Sequence, residues 1–219
     1  MRCSVHSKAL AFLMLILLAP QVARGDMAWS VIFRMGPGTM QSRVYVKGHS
    51  IRIERQNLIL IARLDEKTAI VADSSRRVWT SGRLTKQDLL RLGRDLMADP
   101  ATLRNALVVE PLHETRSIRT ADGKTLVCEL REASLAKGPI ALHWKLCVVQ
   151  DPPEEILWLK ELSGDPDPEW TVSIEGRIND YPVFLAVRDI DLAPVDESLF
   201  RVPDGYRHVS QESFFRDGD

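Results

Sequence analysis

The sequence predicts one α+β domain built on an antiparallel meander that curls, with amphipathic helices as its lid. Three observations carry this. From Met27 to Trp79, short apolar runs (AWSVIFRM, TMQSRVYVK, SIRIER, LILIARL, TAIVAD, RVWTS) are separated by turn residues, which is the spacing of a meander. Within it, Ser50 to Arg55 alternates, with Ile51 and Ile53 on one face and Arg52 and Glu54 on the other, whereas Leu58 to Ala62 is apolar without a break. A strand of the first kind is wet on one face and one of the second kind is covered on both, so the sheet is expected to curl until part of its second face is covered. Finally, the chain beyond Trp79 reads as helices, strands, a helix and strands, with no repeat and no long linker.

Residues 1–25 read as a cleaved secretory signal. Arg2 and Lys8 make a basic start, Ala9 to Ala19 an apolar core too short to span a bilayer, and Ala23-Arg24-Gly25 a small-residue cleavage site. Cleavage is expected after Gly25, with an uncleaved anchor as the alternative. Cys3 precedes the apolar core and is not placed as a lipoprotein cysteine. Loss of Arg2, Lys8 and Arg24 takes the basic residues from 29 to 26 against 30 acidic ones, so the formal charge moves from -1 to -4. An acidic exported chain is not expected to bind nucleic acid or an anionic membrane surface through net charge. No second segment is apolar for long enough to cross a membrane.

Cys128 and Cys147 remain after cleavage, on the strand-like runs TLVCEL and HWKLCVV, with Lys137-Gly138-Pro139 between them. In an oxidising compartment they invite a disulfide. Closing a loop of about nineteen residues is worth roughly 3 kcal/mol; two buried free thiols are the alternative.

Thr85 and Asp88 resemble a capping box. Leu89, Leu92, Leu96 and Met97 then follow at helical spacing. Asp99-Pro100 ends that helix, and Pro100 can open a shorter one through about Leu107. Thr115 to Arg131 reads as a hairpin turning at Ala121-Asp122-Gly123, and Ile140 to Val149 as a strand. A helix follows from Glu154 with Ile156, Leu157, Leu159 and Leu162 on its apolar face, and Gly164 as its cap. Asp165-Pro-Asp-Pro makes a rigid connector. Trp170 to Arg177 and Pro182 to Asp191 form a last strand pair around Asn179-Asp180. Residues 26–211 are thus expected to form the single domain, and Glu212 to Asp219 a frayed polar tail.

The chemistry-bearing residues form no motif. His49, His113, His143 and His208 lie far apart, and there is no HExxH or CxxC. No serine sits in a nucleophile elbow. Gly36-Pro37-Gly38 is a loop signal without the lysine of a phosphate cradle. Asp189 and Asp191, two apart on a strand, would share a face as a glycosidase pair could, but charges on a wet strand face are far commoner. No catalytic residue, metal or cofactor is therefore expected. Trp29, Trp79, Trp144, Trp158 and Trp170 are each read as core. Together with a curled sheet and a loosely fitting lid they would make an apolar groove.

The phrase R-V-Y-V-K-G-H-S-I-R-I-E-R (43–55), the Asp122-Gly123 turn before the strand carrying Cys128, and Leu199-Phe200-Arg201-Val202-Pro203-Asp204-Gly205-Tyr206 resemble the lipoprotein-carrier (LolA-like) superfamily of the bacterial envelope, in particular its members of domain-of-unknown-function type. The resemblance implies an incomplete, strongly curved antiparallel β-barrel, a half-barrel, with helices packed on its concave side. It also implies a periplasmic carrier of lipids or lipoprotein acyl chains, as in outer-membrane lipoprotein sorting, and relatives that sense envelope stress or bind proteins. It supplies no catalytic residue. The plain reading of 199–206 is structural: Phe200 anchors, Pro203-Asp204-Gly205 turns, and Tyr206 returns to the core.

The first expectation is a non-catalytic periplasmic binding protein for a lipid or acylated partner, with secretion as the alternative address. Its ligand lining is expected from Ile51, Ile53, Ile59, Ile61, Ile70 and Trp79 of the sheet, with Leu92 and Leu96 of the lid. An envelope interaction or sensor module is the second expectation and a secreted hydrolase the third. Ligand, partner and oligomeric state are not specified by the sequence.

Overall fold

The computed structural model describes residues 25–85, 87, 107–135, 141–163 and 168–216. The signal segment, the Leu92 and Leu96 helix, the 137–139 loop and the 164–168 connector's first residues lie outside these. Strands β1 (Asp26–Met35), β2 (Gly38–Lys47), β3 (Ser50–Arg55), β4 (Leu58–Arg63), β5 (Thr68–Asp73) and β6 (Val78–Arg83) form the expected meander. A second meander comprises β7 (Leu107–Arg119), β8 (Thr125–Leu135), β9 (Leu142–Val149), β10 (Trp170–Ile178) and β11 (Tyr181–Asp191), and β12 (Arg207–His208) closes the order. They make one 12-stranded sheet, β12-β6-β5-β4-β3-β2-β1-β11-β10-β9-β8-β7, joined in its middle by β1 against β11. Every pairing is antiparallel except the short one of β12 with β6. The sheet is open, an arrangement compatible with a curved half-barrel.

Tight turns set the register. Two-residue connections at Gly48-His49, Gln56-Asn57 and Asn179-Asp180 follow from the pairs Lys47 with Ser50, Arg55 with Leu58 and Ile178 with Tyr181. Each has a first residue at positive φ, as such hairpins require. The 120–124 turn of the β7–β8 hairpin lies where Asp122-Gly123 predicted it, with Gly123 at φ +87. The hairpin, expected over Thr115 to Arg131, is longer, with β7 beginning at Leu107; the helix expected from Pro100 lies outside the described residues up to residue 106. Pro111 is accommodated because β7 is an edge strand bulged between Pro111 and Glu114, with His113 at φ 56.

One face of the sheet carries helix α1 (Glu154–Ser163). Its Glu154 and Glu155 sit at the positive end of the helix dipole. Ile156 and Leu159 are fully buried in a cluster with Met27, Trp29, Val44, Val46, Ile51, Trp170 and Ile190. The Trp29 and Trp170 rings meet edge to face at 6.3 Å. Cys128 and Cys147 are disulfide-bonded diagonally across β8 and β9 in this cluster.

The other face of the first meander was expected to be covered in part, but the Arg52 side of β3 was expected to be wet and is not. Arg52 is only 6% exposed. Residues 192–216 run across this face as a strap, through a short 3-10 turn (Glu197–Phe200), and bury Ala28, Ile59, Ile61 and Ala72 beneath Val195 and Phe200. The alternation of β3 was read correctly but its polar side is a docking surface: an irregular segment over an apolar layer must find donors for its carbonyls. Lys47 donates to Val195 O at 2.8 Å, Arg52 to Leu199 O at 2.5 Å, Arg63 to Phe200 O at 3.2 Å and Arg76 to Phe214 O at 2.9 Å. Asp26 accepts from Lys47 and from Val195 N.

The frayed tail expected from Glu212 is replaced, up to Arg216, by helix α2 (Gln211–Arg216) with Phe214 buried. Its anchor is Arg76, which lies 5.0 Å from the Phe214 ring centroid and pairs with Asp73 at 2.8 Å. Polarity misled the sequence reading, since one aromatic and one arginine hold a six-residue helix.

Arg52→Met should lower the free energy of unfolding by about 2 kcal/mol, because it leaves the Leu199 carbonyl covered without its charged donor; the urea midpoint measures this. Hydrogen bonds from the Ser75 hydroxyl, then from Arg76, lower the Asp73 carboxyl from 3.8 to about 2. A depressed carboxyl contributes its full stability above the unfolded pKa and loses it as pH falls through the folded one. Unfolding midpoints should therefore drop between about pH 4 and about pH 2, and Asp73→Asn should flatten that part of the curve.

Candidate functional site

The expected lining residues divide between the two faces. Ile51 and Ile53 stand with Val44 and Val46 on the face carrying α1. Ile59, Ile61, Ile70 and Trp79 stand on the opposite face under the strap, beside Tyr206 and Phe200. They are therefore not one site. The division follows from the unbroken Leu58–Ala62 run, in which neighbouring residues necessarily point to opposite faces.

The face carrying α1 can be traced across the sheet by pairing. Trp29 opposes Val44, Val44 opposes Ile53, Ile53 opposes Leu60, and Leu60 opposes Val71. Along β1 the same face continues to Val31 and Phe33, which oppose Val187 and Leu185 of β11. Leu185 opposes Ile174, and Ile174 opposes Leu146. Val31, Phe33, Ile53, Leu60, Val71 and Val187 are all only half-buried. An apolar row can thus be followed by pairing from β5 to β9, buried at Trp29, Val44, Leu185, Ile174 and Leu146 and half-buried between them; at β9 it lies on the side opposite Cys147 and Val149 of the α1 cluster.

Two bulges part the α1 cluster from this row. An extra residue near Val172 of β10, and another between Arg188 and Asp191 of β11, interrupt the ladders. Trp29 is thereby brought to Trp170, while Phe33, on the same face of β1, joins Leu185 and Ile174. On β9 the two clusters occupy opposite faces: Cys147 and Val149 in one, Leu142, Trp144, Leu146 and Val148 in the other. Bulges re-aim side chains in this way.

At the β9 end of the row lies Trp144. It is 4% exposed, and its indole Nε1–H has no acceptor among the described residues. A buried donor without a partner costs about 1–3 kcal/mol. The ring is fitted between small neighbours, Ala133 of β8 and Gly176 of β10. A Cβ on Gly176 would fall 2.0 Å from His143 O and 2.9 Å from the Trp144 ring at Cδ1, next to the nitrogen. The sequence reading placed Trp144 only in the core; nothing local marks its donor as unused, since that depends on which strands flank it.

The remaining candidates do not converge. An open cleft of about 430 Å³ lies where the strap crosses the sheet, lined by Lys47, Ser50, Arg63, Asp65, Glu66, Glu197, Phe200 and Arg201. Of its cations, Lys47 is held by Asp26, and Arg63 by Glu66 and Phe200 O. Asp189 sits in the β11 bulge at φ 50 and lies 3.8 Å from Arg43, while Asp191 accepts from Ala193 N. The bulge breaks the alternation on which a shared carboxylate face depends. His49 meets Trp158 edge to face, as His208 does Trp79, and His143 pairs with Glu132 at 2.6 Å. Among the described residues no His, Cys, Asp and Glu gather as metal ligands would, and no helix is long and apolar enough to cross a membrane.

Gly176→Ala should destabilise the protein by about 1–3 kcal/mol, the range for overpacking a fitted interior, because the approaching groups are a backbone carbonyl and a wedged indole. Chemical denaturation checks this.

No family model matches the chain, and no curated protein does. Among solved structures, the crystal structure of MucB is similar at 12% identity and a TM-score of 0.41, over 91% of this chain and 65% of that one. The chain therefore spans about 65% of the length of MucB. A DUF1329 family protein from Desulfovibrio piger is similar at 9% identity and a TM-score of 0.24, over 89% of this chain and 96% of that one. Likeness at this level assigns the chain to no family.

Proposed function

We propose that the protein is an exported, periplasmic carrier that holds a lipid-like or acylated ligand without transforming it. The apolar row from Val71 to Trp144 is the observation that carries this reading. Its half-buried members, Val71, Leu60, Ile53, Val31, Phe33 and Val187, are where a hydrocarbon chain would lie, beside the α1 cluster. In this reading that face is the concave side of a half-barrel, with Ile51, Ile53, Leu60, Val31 and Phe33 along the chain's path. Ile59, Ile61, Ile70 and Trp79 serve the fold instead, as the seat of the strap. Burying hydrocarbon releases about 0.8 kcal/mol per methylene, so affinity needs no catalytic group. The signal-like N-terminus expected from the sequence and the Cys128–Cys147 bridge support an oxidising address.

A second reading, an envelope interaction module, is favoured by one observation. Edge strand β7 is exposed over most of its length, with Val108 and Val109 at 43% and 41% near one end and Val127 of β8 at 54% near the other. Exposed edges are templates for added strands.

The protein, exported with its leader and purified from a bacterial periplasm, should carry a lipid mass in native mass spectrometry. After delipidation it should bind monoacylglycerols with an affinity that rises about fourfold per added methylene, and Ile53→Asn or Leu60→Gln should weaken that binding. A protein that carries no lipid, takes up none and captures a defined protein partner through β7 would transfer the assignment to the second reading.

A further inference from the structure

We infer that the Trp144 indole is a ligand-binding donor: it hydrogen-bonds the neutral carbonyl of an acyl ester or amide whose hydrocarbon chain lies along the apolar row. The inference rests on the carrier reading and specifies the polar end of its ligand.

The layer around Trp144 is Ala133, Leu142, Leu146, Val148, Ile174 and Leu185. None of these side chains accepts a hydrogen bond, and a phenyl ring would fill the same apolar position without bringing a donor that needs a partner. The ring's orientation is constrained, because Gly176 receives its Cδ1 edge and Ala133 flanks its other side. The donor therefore lies on the β10 side, toward the strands through which the layer passes by Ile174, Leu185 and Phe33 into the half-buried row. A single polar group fixing orientation in an apolar setting is the usual form of a small-molecule site.

The charge of the ligand's acceptor follows from a cation on the same face. Arg131 opposes Leu146 and so stands on the same face as Trp144. It is already held by Glu169 in two bonds of 2.6 and 2.7 Å and by Glu129 at 2.9 Å. Its charge is cancelled within the protein. The cationic Lys145 and the imidazole of His143 point to the opposite, exposed face of β9. A carboxylate lodged at the indole would be desolvated without a counter-ion, whereas an ester or amide carbonyl needs only the one donor.

The test uses two probes of equal chain length, 1-palmitoylglycerol and its ether analogue 1-O-hexadecylglycerol, which lacks the carbonyl. The wild-type protein should bind the ester about tenfold more tightly, and Trp144→Phe should bring the two affinities together by weakening the ester alone. The indole N–H resonance of Trp144 in the wild-type protein, assigned by its loss in Trp144→Phe or by selective labelling, should shift downfield with the ester and not with the ether. Equal wild-type affinities with an unmoved indole resonance would overturn the role of Trp144 and leave the carrier standing. Failure of the wild-type protein to bind either probe would remove the carrier reading itself. Should Trp144→Phe not fold, the wild-type resonance and the affinity ratio decide.

Discussion

A sheet with apolar side chains on both faces must be covered twice. That constraint organises this protein. It is sharpest at β4, where Ile59 and Ile61 point one way and Leu60 and Ala62 the other. On one side the cover includes a regular helix, whose carbonyls are satisfied internally. On the other it is an irregular strap, and its carbonyls are satisfied from below by Lys47, Arg52, Arg63 and Arg76. The long cationic side chains of the meander are thus structural donors. Their apolar stems lie on the layer while their heads reach the main chain above it.

The two covers differ in what they leave. The strap meets its layer with Val195 and Phe200 buried and with hydrogen bonds along its length. Helix α1 buries Ile156 and Leu159 near Trp29 and Trp170, and beside this dense centre the row through Ile53, Leu60 and Val31 stays half-buried. The bulges of β10 and β11 set the border, since they turn the upper strand ends toward the helix and the lower ends toward Trp144.

Much of the fold was legible in local chemistry. Ser50 to Arg55 alternates and forms β3; Asp122-Gly123 and Asn179-Asp180 turn; Glu154 and Glu155 begin a helix; Phe200 and Tyr206 return to an apolar layer. The candidate site was less legible. Ile53 falls on the apolar row and Ile51 in the α1 cluster beside it, but Ile59, Ile61, Ile70 and Trp79, equally apolar, lie on the other side of the sheet. Composition cannot separate the two groups, because what distinguishes them is the segment more than a hundred residues later that covers one and not the other.

The sequence by itself determined the strands, their turns and the need for two covers, because alternation, turn residues and an unbroken apolar run are local properties of the chain. It also supplied two cysteines on strand-like runs. Tertiary structure alone decided that β1 meets β11, that Phe33 meets Leu185 and Ile174, that Arg52 lies under the strap, and that Trp144 faces Gly176 with no acceptor for its donor among the described residues. These are matters of register between distant strands, where a single added residue exchanges one face for the other.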